Sequence, residues 1–255
     1  MQTKLSDNER IDDLQCNGYR LIQNTACFCF GMDAVLLSSY AQAGKNDKVL
    51  DLCTGNGVIP ILMRGKTECR QFTGIEVLPV SYDLAVRNAT LNGLESDIRM
   101  IQGDIKDYKE LLKGELFDVV TCNPPYMDEN HGIVNPDNAK AVARHEILLN
   151  LEDVVCAAGK SLKVRGRFFM VHRPRRLVDI FELCRKYKME PKRIRMVYPA
   201  AGRDANMVLI EAVKGGSGQL IVEKPLIVYE ENGDYTKELL SMYNMVGSSV
   251  NYGRY

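Results

Sequence analysis

The sequence predicts an α/β protein: a doubly wound, mostly parallel sheet with an antiparallel last strand. Three observations carry this. The chain is 255 residues long, 45% hydrophobic and 26% charged, which fits one large globular domain. From Lys48 onward, apolar runs of strand length alternate with amphipathic runs of helix length, the pattern of consecutive βαβ units. The last two apolar runs are joined by a connection too short for a helix, so that pair must run antiparallel.

The elements follow in order. "KVLDLC" reads as a buried strand, "TGNG" as a turn and "VIPILMRGK" as a helix. "QFTGIEV" is the second strand, followed by the helix "PVSYDLAVRNATLNGL", with Tyr82, Ala85, Val86 and Ala89 on one face and Gly93 at its stop. "DIRMIQGDI" is the third strand and "LFDVVTC" the fourth. "EILLNLEDVVCAAGKSLKV" is a helix, "GRFFMVHR" the fifth strand, and "PRRLVDIFELCRKYKM" a helix opened by Pro174. "RIRMVYP" and "ANMVLIEAV" are the final antiparallel pair. The expected organisation is a single domain over 1–255, with an N-terminal extension (1–47) and a C-terminal appendage (214–255). The extension carries a turn and helix in "FCFGMDAVLLSSYAQ". The appendage carries the linker-like "KGGSG", a strand-like "LIVEKPLIVY" and a helix-like "YTKELLSMY".

No run approaches the roughly 18 apolar residues of a membrane span. The N-terminal "MQTKLSDNERIDDLQ" is polar and acidic, unlike a signal or transit peptide. Eight scattered cysteines without a CxxC, and only three histidines, read as reduced core thiols of a cytoplasmic protein rather than disulfides or a metal site. The formal net charge is zero, yet Val164–Arg203 holds twelve Lys/Arg against three acids, a net of +9. Such a stretch suits a polyanion-facing surface, or simply a solvated helical face.

"DLCTGNG" follows the first strand. Gly55 and Gly57 allow a tight turn and the close approach of a ligand to backbone N–H groups at a helix N-terminus. Glu76 ends the second strand, where an acid is placed to bind two ribose hydroxyls. Pro60 stands where a dinucleotide fingerprint has its third glycine, so a nucleoside without a diphosphate, such as S-adenosylmethionine, suits the loop better than NAD. The glycines alone equally suit a plain strand-to-helix turn. Asp104 falls at the end of the third strand. Asp51, Glu76, Asp104 and Asn123 thus mark the carboxyl ends of four strands that border one crevice.

The fourth strand ends in Asn123-Pro124-Pro125-Tyr126, and proline cannot continue a central strand. The exocyclic amine of adenine is a poor nucleophile because its lone pair is delocalised into the ring. Two acceptors, the Asn123 side-chain oxygen and the Pro124 carbonyl, would draw that nitrogen toward tetrahedral geometry and free its lone pair. The prolines hold the acceptors rigid, and Tyr126 can stack on a flipped base. The chemistry needs no metal.

"DLCTGNG", Glu76, "GD" at Asp104 and "NPPY", in this order, resemble the class I S-adenosylmethionine-dependent amino methyltransferases, which have a Rossmann-like fold. The resemblance spans about Phe28 to Val213. Within the class, "FGMDAVLLSSYA", "VRNATLNGL", "ARHE" and "RPRRLVDIF" resemble the bacterial tRNA1(Val) (adenine(37)-N6)-methyltransferase family. That resemblance implies methylation of the adenine 3′ of the valine-tRNA anticodon. It implies that Asp51, Gly55, Glu76 and Asp104 hold S-adenosylmethionine, with Gly31 and Asp33 nearest its methionine end. It also implies that Asn123 to Tyr126 hold the base, Asn123 standing at the junction of the two ligands. Arg173, Arg175 and Arg176, inside the basic stretch, are the expected RNA contacts. The expected partner is tRNA, with neither a membrane nor a metal.

Related enzymes with the same corner act on rRNA guanine or adenine, DNA adenine or a protein glutamine. The glutamine enzymes carry a helical domain before the glycine loop, where only about fifty residues stand here, and DNA enzymes carry a large target-recognition domain. An inactive RNA-binding protein of this fold is opposed by the intact Asn123 and Glu76. An NAD-dependent reductase is opposed by Pro60.

Overall fold

The computed structural model describes residues 5–26, 29–125 and 150–243. A nine-stranded sheet forms the centre. Its strands are β3 (Val49–Leu52), β4 (Phe72–Glu76), β5 (Ile98–Gln102), β6 (Phe117–Cys122), β7 (Leu162–His172), β8 (Met189–Ala200), β9 (Met207–Lys214), β10 (Ile221–Val222) and β11 (Leu226–Tyr229). The order is β10-β8-β9-β7-β6-β3-β4-β5, and β11 also pairs with β8. Only β9 runs against its neighbours, inserted between β7 and β8. The chain steps outward from β3 through β4 to β5, then returns to β6 beside β3. The order therefore reverses between β3 and β6, the place where open α/β sheets form a crevice at their carboxyl ends.

Alternate residues of the central strands feed two cores, as buried parallel strands require. On one face, Val49, Val119, Phe169, Val171 and Leu209 pack with α1 (Met32–Tyr40) and α2 (Val58–Lys66). On the other, Leu50, Val120, Phe168, Met170 and Ile210 pack with α5 (Leu151–Ser161) and α6 (Leu177–Lys186). Also on the first face lie α3 (Pro79–Leu91) and α7 (Lys237–Met242), and on the second α4 (Tyr108–Leu112) contributes Leu112.

The boundaries differ from the sequence reading in instructive ways. The helix expected over "EILLNLEDVVCAAGKSLKV" occupies only Leu151–Ser161 among the described residues. Asn150 and Asp153 form a reciprocal capping box at its start, and Leu162 pairs with Phe117 and so begins β7. Pro174–Arg176 form a 3-10 turn before α6. β8 begins at Met189, earlier than expected, because its backbone pairs with Lys214 of β9. "LIVEKPLIVY" is not one strand: β10 and β11, on either side of Pro225, each pair in parallel with β8. The buried face of α3 is Leu84, Ala85, Asn88 and Ala89, while Val86 is 39% exposed. A buried polar residue is invisible to a hydrophobic pattern, and Asn88 is buried because its amide bonds the backbone of Ile22 and Asn56.

The N-terminal segment holds a hairpin that the sequence reading does not contain: β1 (Glu9–Asp13) against β2 (Arg20–Asn24). It forms its own small sheet and docks on α3 through side chains. Arg87 donates to both oxygens of Glu9 at 2.7 Å, and Asn92 donates to Arg20 O (2.7 Å) and accepts from Arg20 N–H (2.8 Å). The seven described cysteines are free thiols. No described helix is long and apolar enough to cross a membrane.

Candidate active site

The parallel strands β3, β4, β5 and β6 release their following loops at one edge of the sheet, beside the β3/β6 reversal. The glycine loop connects β3 to α2. Gly55 and Gly57 both take left-handed backbone (φ 58° and 81°), which a residue with a Cβ adopts at a cost. At Gly55 nothing lies within 4 Å of where a Cβ would stand, so the loop offers bare backbone to the crevice. At Gly57 a Cβ would come within 2.9 Å of Met100 Cε, which the flexible methionine could yield, so it is the left-handed backbone that calls for glycine there. Gly57 N-caps α2, and Pro60 sits in the first turn, where its missing N–H costs nothing.

Glu76, last residue of β4 and 6% exposed, holds this loop. Its Oε2 accepts from Gly55 N–H (2.8 Å) and its Oε1 from Leu78 N–H (2.9 Å). Each oxygen keeps a second lone pair, so the carboxylate can still accept from two hydroxyls of a ligand. Asp51 is placed differently. It is 1% exposed and lies under the loop, where its oxygens accept from Thr54 Oγ1 and Thr121 Oγ1, both at 2.6 Å. Burial pushes its carboxyl up to about 7, against the pull of these two hydroxyls, with a further upward push from the charge of Glu76. Asp51 therefore joins the glycine loop to β6 two residues before Asn123. Thr54 and Thr121 went unread in the sequence, where single hydroxyls carry no pattern.

Asp104, two residues past β5, caps the following 3-10 turn by accepting from Lys106 N–H (2.9 Å). Gly31 precedes α1, and Asp33, 8% exposed, lies in its first turn. Gln23 of β2 positions this entry: its Oε1 accepts from Phe30 N–H at 3.0 Å and its amide donates to Asp12. Asn123, Pro124 and Pro125 follow β6 directly, and Leu52 pairs with Cys122, so the Asn-Pro-Pro corner and the glycine loop leave adjacent strands at one level. Tyr126, the loop Met127 to Ala143, His131 and His145 lie outside the described residues.

β7 ends beside β6, with Met170 level with Cys122. The next residues at that rim are His172, Arg173, Arg175 and Arg176. His172 is 7% exposed, and burial together with the Arg176 charge holds it down at about 4, so it is neutral at pH 7. Arg173 reaches Asn206 O (3.1 Å), and Arg176 pairs with Asp179 (2.7 Å). The wider basic stretch is far less open than its net charge suggests. Arg167 faces Asp47, Arg185 faces Glu190, Lys186 faces Glu152, Arg193 faces Glu211 and Glu223, and Arg195 faces Glu238. Most of these acids come from outside the stretch, so a local charge count cannot see them.

A family model described as a methyltransferase domain matches residues 43–198, which takes in the glycine loop, Glu76, Asp104 and the Asn-Pro-Pro corner. The chain belongs to this methyltransferase family. Among curated relatives, the methyltransferase is 28% identical over 197 residues to a tRNA1(Val) (adenine(37)-N6)-methyltransferase of Porphyromonas gingivalis, covering 74% of this chain and 76% of the relative. It is 23% identical over 212 residues to the protein of the same name in Aliivibrio salmonicida, covering 82% and 86%. In fold it is similar to a predicted O-methyltransferase from Agrobacterium tumefaciens, with a TM-score of 0.67 at 21% identity over 84% of this chain and 96% of that one. The expected class I methyltransferase fold, mostly parallel with one reversed strand, is the fold observed.

Proposed function

We propose that this methyltransferase transfers the methyl group of S-adenosylmethionine to the exocyclic amine of an adenine in tRNA, beside the anticodon of tRNA1(Val). The observation that carries the reading is the shared level of three features on one rim. They are the bare glycine loop with Glu76, the Asn-Pro-Pro corner on the adjacent strand, and the Arg173–Arg176 cluster on the next. The names of the relatives from Porphyromonas gingivalis and Aliivibrio salmonicida support the choice of tRNA.

The residues present fit the cofactor. Gly55 leaves room for it against the backbone, Glu76 has acceptor capacity for ribose hydroxyls, and Gly57 opens a helix N-terminus; in this reading Asp104, Gly31 and Asp33 complete the cradle. When bound, the cofactor supplies an electrophilic methyl group. Asn123 and Pro124 do the rest. Both accept hydrogen bonds from the adenine amine, so its nitrogen pyramidalises and points its lone pair along the transfer axis. Pro124 and Pro125 fix these acceptors before substrate arrives, so little reorganisation is needed at the moment of reaction. Tyr126 supplies a ring for the extruded base, and an anticodon-loop base is cheaply unstacked. Arg173, Arg175 and Arg176 meet the phosphates on either side.

The test is mass spectrometry of nucleosides from tRNA that lacks this modification, after incubation with protein and labelled cofactor, with fragment mapping. N6-methyladenosine next to the valine anticodon is the expected result. Methyl groups found instead on rRNA, DNA or a protein glutamine would overturn the substrate while leaving the corner's chemistry standing.

A further inference from the structure

Asn88 is a fully buried polar residue in the middle of α3. Its Oδ1 accepts from Ile22 N–H (2.6 Å), and its Nδ2 donates to Ile22 O (3.1 Å) and to Asn56 O (2.9 Å). One amide thus does two things. It pairs with the edge of β2 as a neighbouring strand would, and its remaining N–H holds a carbonyl of the glycine loop. Asn56 lies between the two left-handed glycines, where the backbone is intrinsically free to reorient. The peptide joining Asn56 to Gly57 is pinned at both ends: its carbonyl by Asn88, its N–H by Thr54 O at 3.0 Å. From Ile22 the path continues to Gln23, which sets the backbone of Phe30 just before Gly31 and Asp33.

We propose that Asn88 is a positioning residue for the cofactor site: it holds the glycine loop in its binding shape and couples that shape to the docked β1–β2 hairpin. This rests on reading the loop as the cofactor cradle. The same helix supplies internal controls. Arg87 and Asn92 also anchor the hairpin, through Glu9 and Arg20, and bond within their own segment to Asp83 and to Asn88 O. A residue that only docks the hairpin would behave as they do.

The experiment compares Asn88→Ala, Asn92→Ala and Arg87→Ala by calorimetry with S-adenosylhomocysteine, by steady-state kinetics and by thermal unfolding. Asn88→Ala is expected to weaken S-adenosylhomocysteine binding and raise the cofactor KM about tenfold, equivalent to about 1.4 kcal/mol. Its kcat at saturating cofactor should fall by less than about threefold. Asn92→Ala and Arg87→Ala should lower the melting temperature while leaving the Kd within about twofold. An Asn88→Ala protein that binds within about twofold of wild type, or an Asn92→Ala protein weakened as much as Asn88→Ala, overturns the inference. Should Asn88→Ala not fold, hydrogen exchange on the wild type decides. S-adenosylhomocysteine must then slow the Ile22 amide more than those of Leu226–Tyr229, and equal slowing refutes the coupling. A wild type that does not bind S-adenosylhomocysteine at all removes the cofactor reading and this inference with it. A wild type that binds, with Asn88→Ala at wild-type affinity, removes only the inference.

Discussion

The β4 side of the crevice and the β6 side are made rigid by different means. Around β4 the loop is held by hydrogen bonds, Glu76 to Gly55 and Leu78, Asp51 to Thr54 and Asn88 to Asn56, with Asp51 also reaching across to Thr121 of β6. Around β6 the restraint is covalent, since two proline rings fix the backbone angles after Asn123. A hydrogen-bonded loop can relax when a partner is lost, and its losses are graded. A proline corner cannot relax, so losing the Asn123 side chain should hit chemistry and little else.

The largest effect is expected on the covalent side. Asn123→Ala should cut single-turnover methyl transfer about a hundredfold or more while leaving cofactor affinity nearly intact. Near-normal turnover would remove Asn123 from the mechanism and erase the contrast. Next comes Glu76→Ala, which removes charge-assisted hydrogen bonds worth about 1.5–3 kcal/mol each and should weaken cofactor binding about tenfold to a hundredfold. Calorimetry on the folded variant checks it, and unchanged affinity would mean the ribose is held elsewhere. Smaller still is the triple variant of Arg173, Arg175 and Arg176 to Ala. It should raise the tRNA KM several-fold and flatten its salt dependence by roughly 0.7–0.9 log units per lost phosphate contact. Wild-type salt dependence in the triple variant would leave these arginines as a solvated surface.

The smallest effect tests the hairpin that backs the hydrogen-bonded side. Arg87, by its hydrogen bonds to the carboxylate, holds Glu9 down at about 2, below its ordinary 4.5. A depressed carboxyl contributes stability that is complete above the unfolded value and is lost as pH falls through the folded one. Glu9→Gln should therefore cost about 1 kcal/mol at pH 7. That gap should close between about pH 4.5 and 2 in denaturant titrations. A gap independent of pH would show that packing rather than charge docks the hairpin.

The central sheet was legible because its strands are buried on both faces and read as continuous apolar runs between helices. Glu76, the glycines and the Asn-Pro-Pro corner were legible because each sits at a strand end where polar residues break such a run. What stayed hidden depends on contacts distant in sequence. Asn88 and Asn92, four apart in "VRNATLNGL", were the available sign that one helix face meets backbone rather than side chains. The β1–β2 hairpin did carry a turn signal, Asn17-Gly18, both with left-handed backbone, but the flanking runs "ERIDD" and "RLIQN" are short and polar and lack the apolar alternation of a strand. The net charge of the basic stretch overstates its open charge because its neutralising acids, Asp47, Glu152, Glu211, Glu223 and Glu238, belong to other segments of the chain.

The hairpin's anchoring also sets a schedule for biosynthesis. Ile22 meets Asn88, and Glu9 meets Arg87, across 66 and 78 residues. A lone two-stranded hairpin is marginal in water, so β1 and β2 leave the ribosome well before anything exists to hold them. At roughly 5–20 residues per second, the wait for Asn88 is about 3–13 s. Through that interval the nascent chain carries an unanchored pair of strand-forming segments. The hairpin is thus made early and completed only when α3 arrives.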